Sequence, residues 1–237
     1  MATMKLQKET SVLGATEGGH GRLYHDACGM AFALELIGER WSMLIMRELL
    51  LGGRRFSDLR AGIPGISAKM LTERLGAMEA AGVLTRRKLP PPAASQVYEL
   101  TEWGYMAEPA MQELARWATR SSAHNPQLPL SPVSLMISLR TMIDAEAAKL
   151  FDATVGFTVG ADSFLAELKD GLLPVRRVDG PTDADVWFTV EEPLPILRLF
   201  YGKQPIEDAV RSGVNLTGDK ALAQRFAALF SLPEKIV

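Results

Sequence analysis

The chain has 237 residues, 26 Lys and Arg against 28 Asp and Glu, and 47% hydrophobic residues, as expected of one large globular domain or two of roughly 100 residues. No apolar run approaches the ~20 residues of a membrane span, and the N-terminus lacks the apolar centre of a signal peptide. The single cysteine, Cys28, rules out an intrachain disulfide, and together these features predict a cytoplasmic protein without membrane contact.

The net charge of −2 hides an asymmetry. Residues 54–88 carry eight basic against three acidic residues, whereas residues 121–237 carry 11 against 15. A basic patch on a near-neutral chain is what a DNA-contacting module presents, although a charge cluster is more often only a solvated face.

In chain order, residues 1–22 read as a polar, Gly-rich disordered tail. Ala27, Met30, Ala31, Leu34 and Ile37 follow helical spacing and stop at Gly38. A second helix is predicted from about Trp41 to Leu51. A short third one begins near Phe56, with Ser57 as its cap, and ends before Pro64–Gly65. The fourth is the most legible: Ser67 caps it, Leu71, Leu75 and Met78 form its apolar stripe, and Gly82 ends it. Val83–Leu89 and Gln96–Leu100 read as a hairpin with a proline-stiffened tip, and Thr101 caps a long helix to about Arg120. This order is that of a winged helix-turn-helix over residues 23–120.

Residues 121–132, with Pro126, Pro129 and Pro132, read as a linker. A helix over 133–148 then precedes strands around 153–159, 163–168, 175–178 and 185–190. Helices follow at 195–201, 206–212 and 220–230. The expected class is α+β: a mostly helical N-terminal part with a hairpin wing, then an α+β domain over 133–237 with a mostly antiparallel sheet.

The fourth helix suits the major groove of double-stranded DNA. With its stripe inward, Lys69, Glu73 and Gly76 point outward, and Met70 and Thr72 flank them. Ser67 to Glu73 are the expected reading residues, while Arg74 lies where a phosphate contact or an internal ion pair is expected. Arg54 and Arg55 at the start of the third helix, and Arg86, Arg87 and Lys88 on the hairpin, are placed for phosphates or the minor groove. Basic clusters on all three DNA-facing parts argue against a merely solvated helix.

The runs Cys28–Leu36, Ile37–Trp41, Arg47–Leu49, Gly53–Leu59, Pro64–Ser67, Leu71–Leu75 and Tyr98–Thr101 closely resemble the HxlR-type regulators over about residues 25–118. Gly29 and Ala68 stand where that family often has proline. The resemblance implies a homodimeric winged-helix repressor or activator, paired through its first and final helices. Met106, Met111, Leu114 and Trp117 are the candidate contact residues; packing against the chain's own second domain is the alternative. The resemblance also puts Cys28 where some relatives carry a redox-sensing thiol. Near a helix N-terminus a thiol is acidified, but a free cysteine is more often a small buried hydrophobe.

From residue 133 onward, Asp185–Val190, Leu199–Lys203, Ala209–Gly213, Gly218–Leu222 and the Phe226–Phe230 helix resemble the sterol-carrier-protein-like fold. That resemblance implies a cavity for an apolar effector, with Phe157, Phe164, Trp187, Phe188, Leu197, Phe200 and Tyr201 as candidate lining. The alternatives are that they simply fill a core, with the domain a dimerisation brace or a surface for another protein. No P-loop, dinucleotide fingerprint or zinc-protease motif occurs, and the three histidines lie in or near flexible segments. The sequence therefore predicts a regulator that is not an enzyme and needs no cofactor or metal. The rival function is redox sensing through Cys28 with a purely structural second domain.

Overall fold

The computed structural model describes residues 24–90 and 95–236; the tail expected over 1–22 and positions 91–94 of the hairpin tip lie outside them. The N-terminal part runs α1 (Gly29–Ile37), α2 (Ser42–Leu49), α3 (Phe56–Gly62), α4 (Ala68–Ala80), β1 (Leu84–Lys88), β2 (Gln96–Leu100), α5 (Glu102–Tyr105) and α6 (Glu108–Ala118). This is the winged helix-turn-helix order. In α4, Met70 N donates to the Ser67 Oγ cap at 3.1 Å, an interaction worth about 1 kcal/mol. Leu71, Leu75 and Met78 are closed to solvent, and Gly82 leaves the helix at φ +74°, a conformation that favours glycine. β1 and β2 pair antiparallel from Leu84 opposite Leu100 to Lys88 opposite Gln96.

Two local expectations change. Arg55, not Ser57, stands at the N-cap of α3, and its backbone N–H donates to the Asp58 carboxylate at 3.3 Å. The helix predicted over 101–120 is two helices. Gly104 N donates to Thr101 Oγ1 at 3.0 Å and starts α5, but Pro109 has no N–H to offer Tyr105, so α6 begins anew at Glu108. Gly104 is also required by proximity, because a Cβ there would lie 2.1 Å from the Val83 carbonyl oxygen.

The C-terminal part runs α7 (Pro132–Met142), α8 (Ala145–Ala148), β3 (Ala153–Val159), β4 (Asp162–Leu168), β5 (Val175–Val178), β6 (Val186–Val190), α9 (Leu194–Phe200), α10 (Ile206–Arg211), β7 (Asn215–Gly218) and α11 (Lys220–Ala228). The helix expected over 133–148 breaks at Ile143. That residue turns extended to bridge Phe230, and Asp144 then caps α8. The strands form a sheet of order β5-β4-β3-β6-β7, in which only β3 and β6 run parallel. β7 has no counterpart in the sequence reading: four residues, Asn-Leu-Thr-Gly, mostly exposed on an edge, carry no strand pattern.

Strand alternation sorts the aromatic residues. Phe157 and Phe188 stand opposite each other and stack at 5.4 Å. Phe200 of α9, Phe226 of α11 and Phe230 close over them with ring centroids 5.0–6.4 Å apart. Trp187 faces the other way and lies across Gly156, where a Cβ would come within 1.7 Å of its ring; its Nε1 donates to Thr158 Oγ1 at 3.0 Å.

Buried side chains of the two parts join in one apolar cluster. Across the junction, Ser131, the cap of α7, donates to Oε1 of the buried Glu48 on α2 at 2.6 Å. Gly62 lies so close to this carboxylate that a Cβ would sit 2.6 Å from Oε2. The C-terminal Lys235 ammonium donates to the carbonyls of Thr119 and Ser121 at 2.8 and 2.9 Å, tying the end of the chain to the start of the Pro-rich segment.

Candidate nucleic-acid interface

Because α4 buries one stripe, its other face is free to meet a ligand. Lys69 projects with its side chain 86% exposed, 3.9 Å from Glu73. Thr72 is exposed with its hydroxyl bonded to the Ala68 carbonyl, and Gly76 is exposed behind it. Met70 is half-buried against the core. The exposed Ser67 hydroxyl is already engaged as the cap.

The hairpin cations lie alongside this face. Arg86 pairs with Glu79 at 2.6 Å and Arg87 with Glu99 at 2.9 Å, each still about half exposed, and Lys88 is exposed. The Glu79 carboxylate raises the Arg86 pKa further above its ordinary value. Pairs this open to solvent contribute little to stability and orient the guanidinium groups at little cost. Arg55 is exposed at the start of α3.

Two arginines of the sequence-derived set do not join this surface. Arg54 is turned into the molecule: its Nη1 donates to Asp162 Oδ1 on β4 at 2.9 Å, and its side chain is only 15% exposed. Asp162 also holds Arg177, whose guanidinium sits 4.9 Å above the Phe164 ring. Burial and the facing Arg54 charge push the Arg177 pKa down, against the pull of Asp162. Arg74 is buried and serves the fold. It reaches Glu39 at 3.0 Å and the Arg40 carbonyl at 3.2 Å, clamping α4 to the α1–α2 turn. Trp41 in that turn takes φ +83°, which costs a non-glycine residue energy that surrounding contacts must offset. Arg74 supplies two of them.

Comparison with known proteins adds sequence kinship to this geometry. A family described as HxlR-like helix-turn-helix matches residues 36–126. The uncharacterized HTH-type transcriptional regulator YvaP of Bacillus subtilis is 37% identical over 87 residues, 37% of this chain and 81% of YvaP. The HTH-type transcriptional regulator YodB of the same organism is 39% identical over 38% of this chain and 80% of its own. The chain belongs to the HxlR-like helix-turn-helix family. Among solved structures, the reduced form of YodB matches at 36% identity and TM-score 0.37, covering 40% of this chain and 95% of that one.

Beyond α4 and the hairpin, this HxlR-like chain leaves unusual surfaces on its two outer helices. In α1 only Ala31 is buried, while Met30, Phe32 and Leu34 are exposed. α6 buries no residue at all, and Met106 and Trp117 are more than 70% exposed, with Leu114 about half exposed and Met111 half-buried. Cys28 is the N-cap of α1 and is exposed. The backbone N–H groups of Ala31 and Met30 hold its thiol pKa below the ordinary value, the effect of a helix N-terminus on an anion.

The seven candidate lining residues of the C-terminal part do not share one space. Phe157, Phe164, Phe188 and Phe200 are closed into the core, and Trp187 lies on the opposite face of the sheet. Leu197 and Tyr201 instead border a cavity of about 740 Å³ between α2, α6 and α7. Sequence reasoning missed this space because its walls come from segments far apart in the chain. Among the described residues, no three His, Cys, Asp or Glu side chains are grouped to hold a metal ion, and no helix is long and apolar enough to cross a membrane.

Proposed function

We propose that the chain is a sequence-specific DNA-binding transcriptional regulator that reads the major groove with the start of α4 and works as a homodimer. The observation that carries this is the exposure of Lys69 and Thr72 on a capped helix, together with that of Arg55 at the start of α3 and of Arg86, Arg87 and Lys88 on the hairpin. Lys69 meets a guanine edge or a phosphate, Thr72 meets a base edge, and the flanking cations hold the backbone. Glu73 orients Lys69 or accepts from a cytosine amine. The apolar faces of α1 and α6 supply the dimer contact, since a two-fold protein presents two recognition helices to a two-fold operator. The C-terminal part, read as sterol-carrier-like, is the effector-sensing half. Its fully packed aromatic core moves the expected ligand away from that core.

The test is a fluorescence-anisotropy titration of the full chain against its own upstream DNA and a scrambled duplex across a salt series. Preference for the native fragment, with log K falling steeply against log salt, is the expected result. Absence of binding to any duplex at low salt would overturn the reading.

A second reading, redox control through Cys28, is favoured by its exposure and lowered thiol pKa. Solved structures of the relative YodB include a reduced, a diamide-treated and a quinone-bound form. Here a mild oxidant should change DNA affinity in the wild type and leave Cys28→Ser unaffected; an unresponsive wild type removes this reading.

A further inference from the structure

The cavity at the junction of the two parts has walls from α2, α6, the segment over 119–130, α7, the end of α9 and Leu232 near the C-terminus. At about 740 Å³ it falls within the range of small-molecule sites, and walls from six separate segments suit a compact molecule. Most lining side chains are apolar, among them Met43, Leu44, Leu50, Met111, Ile137 and Leu197. Among the described residues, the one Lys, Arg, Asp or Glu side chain in the lining is Arg47. Its Nε and Nη2 both donate to Glu48 Oε1, at 3.1 and 2.8 Å, so its charge is already balanced by a buried carboxylate. His124, also at the wall, has its pKa pushed down by burial and by Lys235, which favours the neutral ring. Among the described residues, a charged ligand would find no uncompensated counter-charge here.

A polar handle is present nonetheless. The Ser138 and Tyr201 hydroxyls, both in the lining, are hydrogen-bonded at 2.8 Å. Burial raises the Tyr201 pKa, so the phenol keeps its proton. One hydroxyl of such a pair donates to the other, which leaves one O–H for a further acceptor and lone pairs for a further donor. A pair of half-buried hydroxyls bordering apolar walls marks where a single oxygen of a ligand would sit.

We propose that this cavity binds a neutral, largely apolar small molecule carrying one carbonyl or hydroxyl, its oxygen on the Ser138–Tyr201 pair and its body between α2 and α6. The proposal rests on the effector-sensing reading above and gives that reading a site outside the aromatic core. It also gives the ligand a route to the DNA face. α2 packs against both α3 and α4, so a molecule that binds one setting of α2 more tightly than another shifts the placement of α4 by that difference in affinity.

The test uses the full chain and 6-propionyl-2-(dimethylamino)naphthalene, a neutral fluorescent ketone, as the probe. Saturable binding of one probe per chain is expected. Ser134→Phe, which puts a ring into the cavity from α7, should weaken it about tenfold or more. The double change Ser138→Ala with Tyr201→Phe should weaken it about fivefold, the worth of one hydrogen bond, and shift the emission to the blue as the ketone loses its donor. Ala115→Trp, from the exposed surface of α6, is a second obstruction should Ser134→Phe disturb folding, and far-UV circular dichroism monitors each variant. Equal binding by the obstructed and wild-type chains would place the probe elsewhere, overturning this site while leaving an effector-sensing C-terminal part intact. No saturable binding by the wild type would overturn the site outright. DNA anisotropy on the same samples separates either failure from failure of the DNA-binding reading.

Discussion

Helices α1 and α6 and the turn before α6 leave Met30, Trp117 and Met106 about 70% exposed, whereas the C-terminal part closes Phe157, Phe164, Phe188, Phe200, Phe226 and Phe230 to solvent completely. Both regions are rich in large apolar side chains, so composition does not distinguish them. The difference lies in what each surface has to meet. The sheet, α9 and α11 enclose their aromatic rings among themselves. Two outer helices that bury one residue between them leave apolar surface uncovered among the described residues, which is costly in a monomer and is why the proposed dimer contact is placed there. The finished region is therefore a poor place for a ligand, and the unfinished one is where the proposed association is placed.

The most forceful way to break this comparison is to open the finished core. Phe200→Ala removes the ring that touches Phe157, Phe188, Phe226 and Phe230. It should cost about 3–5 kcal/mol in urea unfolding. A loss near zero would mean that the aromatic set encloses adaptable space rather than a packed core. The matching change on the unfinished surface, Trp117→Glu combined with Met106→Glu, should leave monomer stability within about 0.5 kcal/mol and convert a dimer to monomer in sedimentation velocity. If the wild type is already monomeric, the dimer contact proposed for α1 and α6 is wrong.

The arginines sharpen the comparison further, because identical side chains are split between structure and surface. Arg74→Ala strips the α1–α2 turn of its clamp and should destabilise the fold by about 1–3 kcal/mol, with DNA affinity falling only as the folded fraction falls. Lys69→Ala should do the reverse. Thermal stability should hold, and DNA binding should weaken by about 1–3 kcal/mol if it reads a base, or uniformly across sequences if it meets a phosphate. Arg54 and Arg55 make the closest pair. Arg55→Ala should lower the slope of log K against log salt by about one, the mark of a lost phosphate contact, whereas Arg54→Ala should leave the slope unchanged and loosen the junction with β4.

These contrasts also mark what the sequence could convey. α4 was legible because its signals are local: the Ser67 cap, the Leu71–Leu75–Met78 stripe and the Gly82 stop act within one helix. Strands β3 to β6 were legible for a similar reason, their buried runs being bounded by turns. Arg54 was misplaced because its partner, Asp162, is 108 positions away, and no local pattern announces an ion pair of that span. β7 went unseen because edge pairing to β6 makes it a strand, not its own side chains. The cavity escaped for a third reason, since its lining is an outcome of how α2, α6 and α7 pack.

Cys28 gives the smallest and most local of the expected effects. The backbone N–H groups of Met30 and Ala31 stabilise the thiolate, and the group is exposed, so no burial penalty offsets them appreciably. The thiol reacts through its anion, so its alkylation rate by iodoacetamide should rise with pH and reach half its plateau at a lower pH than for a cysteine in a short unstructured peptide. The shift should vanish in urea, because the unfolded chain has no helix end to supply those N–H groups. A midpoint equal to the peptide's in the native protein would remove the acidified thiol. It would also withdraw the physical basis for redox control at α1, one of the two helices whose apolar faces are proposed to pair.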